Sequence, residues 1–198
     1  MRVRLAGVTT SNDNAKIYRY WGYDDVCCPQ DVRDAIAKCP ADEELIFELN
    51  SGGGSVYSGF EMYSAIRGAG REVTAEVQSI AGSAMSVVMA ACDRVLMSPV
   101  ANVLIHRAST WSAGNAQVLR QDAQMLDTVD ESILTAYTEK AGDKTTRSQF
   151  AAMMRRETFM TAQEAIDCGL ADGMIEYDEG EESEGLLDFA ASTYTGEA

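Results

Sequence analysis

Few residues in this chain have the types and spacing for chemistry. His106 is the one histidine among 198 residues. It ends the apolar run Asn102-Val103-Leu104-Ile105. Ser83 follows Gly82 near the front of an uncharged, small-residue-rich stretch, Ser79 to Cys92. A glycine run, Gly52-Gly53-Gly54, follows the apolar segment Leu45 to Leu49. A hydroxyl at a helix N-terminus meets free amides and the positive end of the helix dipole, and both favour an oxyanion. If Ser83 is a nucleophile with an imidazole base, that base within this chain is His106. The imidazole then needs an orienting carboxylate, and acids are too numerous for spacing to choose one.

Each feature also has a plainer reading. Ser83 serves equally well as an N-cap. A solitary histidine is more often structural than catalytic. Glycines between a strand and a helix fit a tight turn. No Gly-Lys-Ser/Thr follows them, and the dinucleotide-binding spacing is absent. The Gly-x-Ser-x-Gly elbow of α/β-hydrolases is also absent.

The elements that must position these residues read as alternating strands and helices. Residues 1–15 are polar and poorly patterned, and Ile17 to Trp21 are expected as a strand. Pro29 suits the first turn of a helix that Pro40 ends. Glu44 to Leu49 form a strand, and a helix carries Phe60, Tyr63 and Ile66. Glu72 to Val77 form the next strand, and Ser79 to Cys92 a buried helix. Two strands follow, Arg94 to Met97 and Asn102 to Ile105. Gly114 to Ala141 is predicted as the longest helix, with Leu119, Leu126 and Ile133 repeating at seven. A shorter helix covers Thr146 to Arg155. Thr161-Ala162-Gln163-Glu164 has capping-box spacing, and Met174 to Tyr177 read as a last strand. This alternation predicts an α/β fold with a largely parallel sheet.

Composition narrows the function classes. At 46% hydrophobic the chain can bury a full core. Its longest uncharged apolar run, Val77 to Cys92, is shorter than the roughly 20 residues of a membrane span. A soluble, cytoplasmic protein is expected. Five cysteines, an odd number, do not suggest a disulfide framework, and a single histidine argues against a zinc site of His/Cys type. Net charge is −15, and no Lys or Arg follows Arg156. That asymmetry argues against a nucleic-acid footprint. The acidic residues from Asp178 onward read as a flexible tail.

Four separated segments, in order, resemble the Clp protease proteolytic subunit (ClpP) family. They are Leu49-Asn50-Ser51-Gly52-Gly53-Gly54-Ser55-Val56, Ser79 to Ser86, Leu104-Ile105-His106, and Glu157 to Ala165 with Gly169-Leu170-Ala171-Asp172. Within the family they look most like the ClpP-related head maturation proteases of tailed phages and prophages. The resemblance spans roughly residues 17–177, with 1–16 a variable N-terminal segment and 178–198 the tail. It implies a ClpP/crotonase-type fold of repeated β-α-β units with a protruding "handle" helix. It implies a serine endopeptidase that needs neither cofactor nor metal and works as a homo-oligomer of ring type on protein or peptide, a capsid or scaffold protein for the phage enzymes. Residue by residue, it puts Ser83 at the nucleophile, His106 at the general base and Glu157 at the third triad position. Bacterial members have aspartate there, one methylene shorter. The amides of Gly54 and Ala84 take the oxyanion-hole positions, and an extended substrate lies beside Gly52 and Gly53. Residues 1–16 show no clear counterpart of the segment that meets an AAA+ unfoldase, which weakens the case for an unfoldase partner and leaves it open. Two rival readings are a crotonase-like acyl-CoA hydratase or isomerase and a catalytically inactive assembly protein.

Overall fold

The computed structural model describes residues 1–177; the segment read as an acidic tail, 178–198, lies outside them. In chain order the elements are β1 (Arg2–Thr9), α1 (Asn12–Tyr20), β2 (Val26–Cys27), α2 (Pro29–Lys38), β3 (Leu45–Gly54), α3 (Val56–Arg67), β4 (Val73–Gly82) and α4 (Ala84–Ala90). There follow β5 (Arg94–Met97), β6 (Asn102–Ile105), α5 (Ala116–Ala141), α6 (Arg147–Arg155), β7 (Thr158–Thr161), α7 (Ala162–Asp167) and β8 (Gly173–Met174). The sheet runs β2-β1-β3-β4-β5-β8, and every pairing along that path is parallel. Parallel strands buried on both faces carry continuous apolar runs, and β3 opens on one, Leu45-Ile46-Phe47.

β4 is long enough to serve two neighbours. Its first half pairs β5, from Thr74↔Arg94 to Val77↔Met97. Its second half pairs β6, from Ile80↔Asn102 to Gly82↔Leu104. β7 then pairs β6 antiparallel, from Asn102↔Thr161 to Ile105↔Thr158. As a result β3, β4 and β6 run side by side in one direction and deliver Gly54, Ser83 and His106 to one edge. Ligands in open α/β sheets bind at the carboxyl ends of the strands.

The core lies between the sheet and α4. Every residue of α4 is buried, and Leu45, Phe47, Leu49, Val73, Ala75, Val77, Val95 and Met97 meet it from the strands. The C-terminal half of α5 closes this core with Ile133, Leu134 and Tyr137. The N-terminal half of the same helix is largely exposed.

Four expectations are corrected. Ile17 to Tyr20 belong to α1, with Trp21 as its C-cap, and not to a strand, because Ser11 caps that helix through the Asn14 N–H and Asp13 favours its first turn. The preceding stretch, taken as unpatterned, holds β1, which pairs β3 along most of its length. Only Leu5, Ala6 and Thr9 of β1 are buried, too few to show as an apolar run. Gly52-Gly53-Gly54 do not form a turn; the strand continues through Gly54, held by Thr9. Ser79 to Gly82 likewise extend β4, held by β6, rather than open the helix, which begins at Ala84.

Phe47 is fully buried in β3. Phe47→Ala should lower unfolding free energy by about 3–5 kcal/mol, read as a lower denaturation midpoint at unchanged m-value.

Candidate active site

Ser83 is the hinge between β4 and α4. Its backbone sits at φ 52, ψ −124, a left-handed conformation that side chains rarely adopt. An N-cap serine has extended backbone and accepts a bond from the following turn. Ser83 does neither, and its side chain makes no cap hydrogen bond. Its Oγ instead lies 2.7 Å from Nε2 of His106. The register explains the meeting. Gly82 pairs Leu104, and the Ser83 N–H donates to the Leu104 carbonyl at 2.9 Å. The two side chains therefore emerge from adjacent parallel strands. Both residues are half-buried.

The glycine strand makes room for this turn. A Cβ on Gly53 would stand 2.6 Å from the Ser83 Cβ and 2.7 Å from the Gly82 carbonyl. Gly53 also has φ +103. A Cβ on Gly82 would lie 3.0 Å from the Gly52 carbonyl. Ser51 pins the strand from behind: its hydroxyl donates to the Gly7 carbonyl at 2.5 Å and accepts from the Gly53 N–H at 3.0 Å. Gly54 lines the cleft beside Ser83. Ala84 opens α4, where an amide has no partner within the helix.

The loop after His106 is clamped to α5. Asp130 is buried and accepts from Arg107 Nε at 2.5 Å and from the Ala108 N–H at 2.7 Å. Arg107 also reaches Asp127 at 2.6 Å. The sequence reading passed over Asp130. Its signal is an acid on the face that carries Leu126, Ile133 and Leu134, one, at most two, turns away.

Glu157 stands just before β7, exposed, with φ 50. The last β6–β7 pair is Ile105↔Thr158, so His106 and Glu157 are the residues that adjoin that pair on the two segments. Among the described residues no carboxylate hydrogen-bonds the His106 ring. Ser83 and Glu157 are the two non-glycine residues with positive φ among those described.

A cleft of about 280 Å³ opens over Ser83 and His106. Gly54 and Ala84 lie on one side, and Met125, Leu126, Val129 and Ile133 of α5 supply an apolar wall. The thiols are poor competitors for the role of nucleophile. All five cysteines are buried, and burial pushes Cys27 up to about 11 and Cys92 up to about 12. Among the described residues no helix is long and apolar enough to cross a membrane, and no cluster of His, Cys, Asp or Glu could hold a metal ion.

A parallel sheet that presents a serine and an imidazole in contact at its carboxyl edge, beneath an apolar cleft, has the constellation of serine-type peptidases. The Clp protease family model matches residues 35–178. The ATP-dependent Clp protease proteolytic subunit 1 of Chlamydia abortus is 33% identical over 137 residues, covering 67% of this chain and 70% of that protein. The protein of the same name from Chlamydia muridarum is 31% identical over 137 residues, with the same coverage. The ATP-dependent Clp protease proteolytic subunit of Chlorella vulgaris is 30% identical over 130 residues, covering 65% of this chain and 64% of that one. The chain belongs to the Clp protease family, with the ClpP-type α/β fold and the serine-type peptidase class that membership carries.

Gly53→Ala tests the packing of this site. The added methyl must push the Ser83 turn aside, and a displacement near 1 Å costs roughly 100-fold in rate. Peptide turnover should fall by at least that much while far-ultraviolet circular dichroism stays unchanged.

Proposed function

We propose that this chain is a serine endopeptidase in which Ser83, His106 and Glu157 form the triad. The observation that carries the reading is the 2.7 Å contact between Ser83 Oγ and His106 Nε2, made by a serine whose hydroxyl does no capping. Neutral His106, protonated on Nδ1, accepts the Ser83 proton as Oγ attacks the substrate carbonyl. The imidazolium then protonates the leaving amine, and water repeats the sequence on the acyl-enzyme. Glu157 orients the ring from the opposing strand and stabilises the imidazolium. A glutamate must span one more methylene than an aspartate, and its left-handed backbone changes the angle at which it leaves β7.

The amides of Gly54 and Ala84 hold the oxyanion. Loss of one such donor costs about 2.7–4 kcal/mol of barrier. The substrate lies extended beside Gly52 and Gly53, pairing with exposed backbone there. The wall of Met125, Leu126, Val129 and Ile133 supports an apolar side chain next to the scissile bond. Resemblance in motifs to the head maturation proteases of tailed phages supports a capsid or scaffold protein as substrate and a ring-type homo-oligomer as the working form.

Incubation with a serine-directed fluorophosphonate, followed by peptide mapping, should place the adduct on Ser83. Ser83→Ala and His106→Ala should each remove nearly as much turnover as the double variant, because the residues act as a unit. A folded Ser83→Ala protein that still cleaved peptides at the wild-type rate would overturn the assignment. The pH profile gives an independent check. Protonated His106 cannot accept from Ser83, so activity should decline on acidification, and a rate indifferent to acid counts against the base.

A further inference from the structure

Beneath the nucleophile turn lies a chain of two buried hydroxyls. Ser86, fully buried on the first turn of α4, donates its hydroxyl proton to the Ser83 carbonyl at 2.6 Å. The Ser86 N–H reaches the same carbonyl at 3.0 Å. Tyr137 of α5, 1% exposed, has its hydroxyl 2.7 Å from Ser86 Oγ. Ser86 has one hydroxyl proton and has given it to Ser83, so Tyr137 donates. Burial drives the phenol upward from its ordinary range, which keeps that proton in place at any working pH. The Tyr137 ring is braced by Phe150 at a centroid distance of 5.7 Å.

The carbonyl that receives this chain belongs to the same peptide unit as the Ala84 N–H. A trans peptide is planar, with its C=O and N–H pointing opposite ways. Whatever fixes the Ser83 oxygen therefore fixes the aim of the Ala84 hydrogen. Hydrogen bonds in series also polarise one another, so a carbonyl that accepts strongly makes its own amide a better donor.

We propose that Tyr137 and Ser86 are positioning residues for the oxyanion hole, aiming and strengthening the Ala84 amide from behind. The proposal rests on Ser83 as the nucleophile. It explains two polar side chains in a core where an apolar pair would otherwise pack, and it gives α5 a direct hold on the catalytic turn. Ser86 is fully buried, and Tyr137 lines the cleft with only 1% of its surface exposed, so both act through the Ser83 peptide. Their effect falls on the transition state, where the oxyanion forms, and not on ground-state binding.

The test uses the full chain as wild type, Ser86→Ala, Tyr137→Phe and the double variant. Three readouts are taken: kcat and KM on a fluorogenic peptide with an apolar residue before the scissile bond, the fluorophosphonate labelling rate, and thermal unfolding. Labelling forms the Ser83 Oγ–P bond and breaks P–F; fluoride leaves, and His106 takes the proton. Each single variant should lose about tenfold in kcat and labelling rate, one hydrogen bond's worth, at unchanged KM. The acid limb of the pH profile should stay in place, because the Ser83–His106 contact is untouched. The double variant should be no slower than the slower single. Stability should behave differently. Ser86→Ala orphans the buried Tyr137 hydroxyl and should lower Tm, and the double variant should regain it. If rate recovers along with Tm, or if the variants match an active wild type, the positioning role is overturned while the Ser83 assignment stands. A wild type that neither labels nor cleaves overturns the Ser83 assignment, and the positioning role with it.

Discussion

The backbone of Ser83 is the constraint that the rest of the site answers to. A serine at φ 52 and ψ −124 lies in a sparsely populated region that costs on the order of 1–3 kcal/mol. Nothing local to the sequence Ala81-Gly82-Ser83-Ala84 imposes it. The conformation persists because neighbours over-determine it: the Ser83 N–H is held by Leu104, and its carbonyl takes two bonds from Ser86. Gly53 and Gly82 leave the space into which the turn folds. Strand ends, helix start and glycine run are therefore one device seen from three directions.

That device also separates catalysis from capping. Both readings put a hydroxyl at the front of a buried helix, and both use the same free amides. An extended Ser83 would turn its oxygen toward the next helical turn and satisfy an amide there. The left-handed turn withholds that bond, and the hydroxyl meets His106 instead. The amide at Ala84 opens the helix, at its positive end, without a partner from the Ser83 side chain. One dihedral thus brings the Ser83 hydroxyl to His106 and sets the aim of the Ala84 amide, the arrangement on which the proposed nucleophile and oxyanion donor rest.

Local pattern carried much of this into the sequence. The lone His106, the Gly82-Ser83 pair and the long period of α5 were all readable, as was the α/β alternation. What escaped reading depends on pairing between distant segments. Gly52 to Gly54 look like a turn because glycine has low strand propensity; they extend as a strand because β1 lies beside them. β1 itself has too few buried residues to announce itself, and a helix cap at Ser11 outweighed the aromatic pattern at Ile17 to Trp21. β7 stayed hidden because its four residues are recognisable only against β6. Ser86 and Tyr137 read as ordinary members of apolar helices, since a hydroxyl pair separated by 51 positions has no sequence signal.

The same strain argument reaches Glu157. Positive φ outside glycine occurs at two of the described residues, and one is Ser83. The other sits at the junction of α6 and β7, one register step beyond the last pair with β6. A left-handed residue ends regular pairing there, so the ladder stops where His106 begins to project from its strand. An ordinary β residue at 157 would continue the ladder and keep its side chain on the alternation of the sheet. The left-handed turn releases it from that alternation, and the extra methylene of glutamate adds reach. Backbone strain at functional sites runs from an observed outlier to a hypothesis of role, and here the outlier falls on the residue proposed as the third member of the triad. The two strained residues adjoin β4 and β7, the strands on either side of the one that ends at His106.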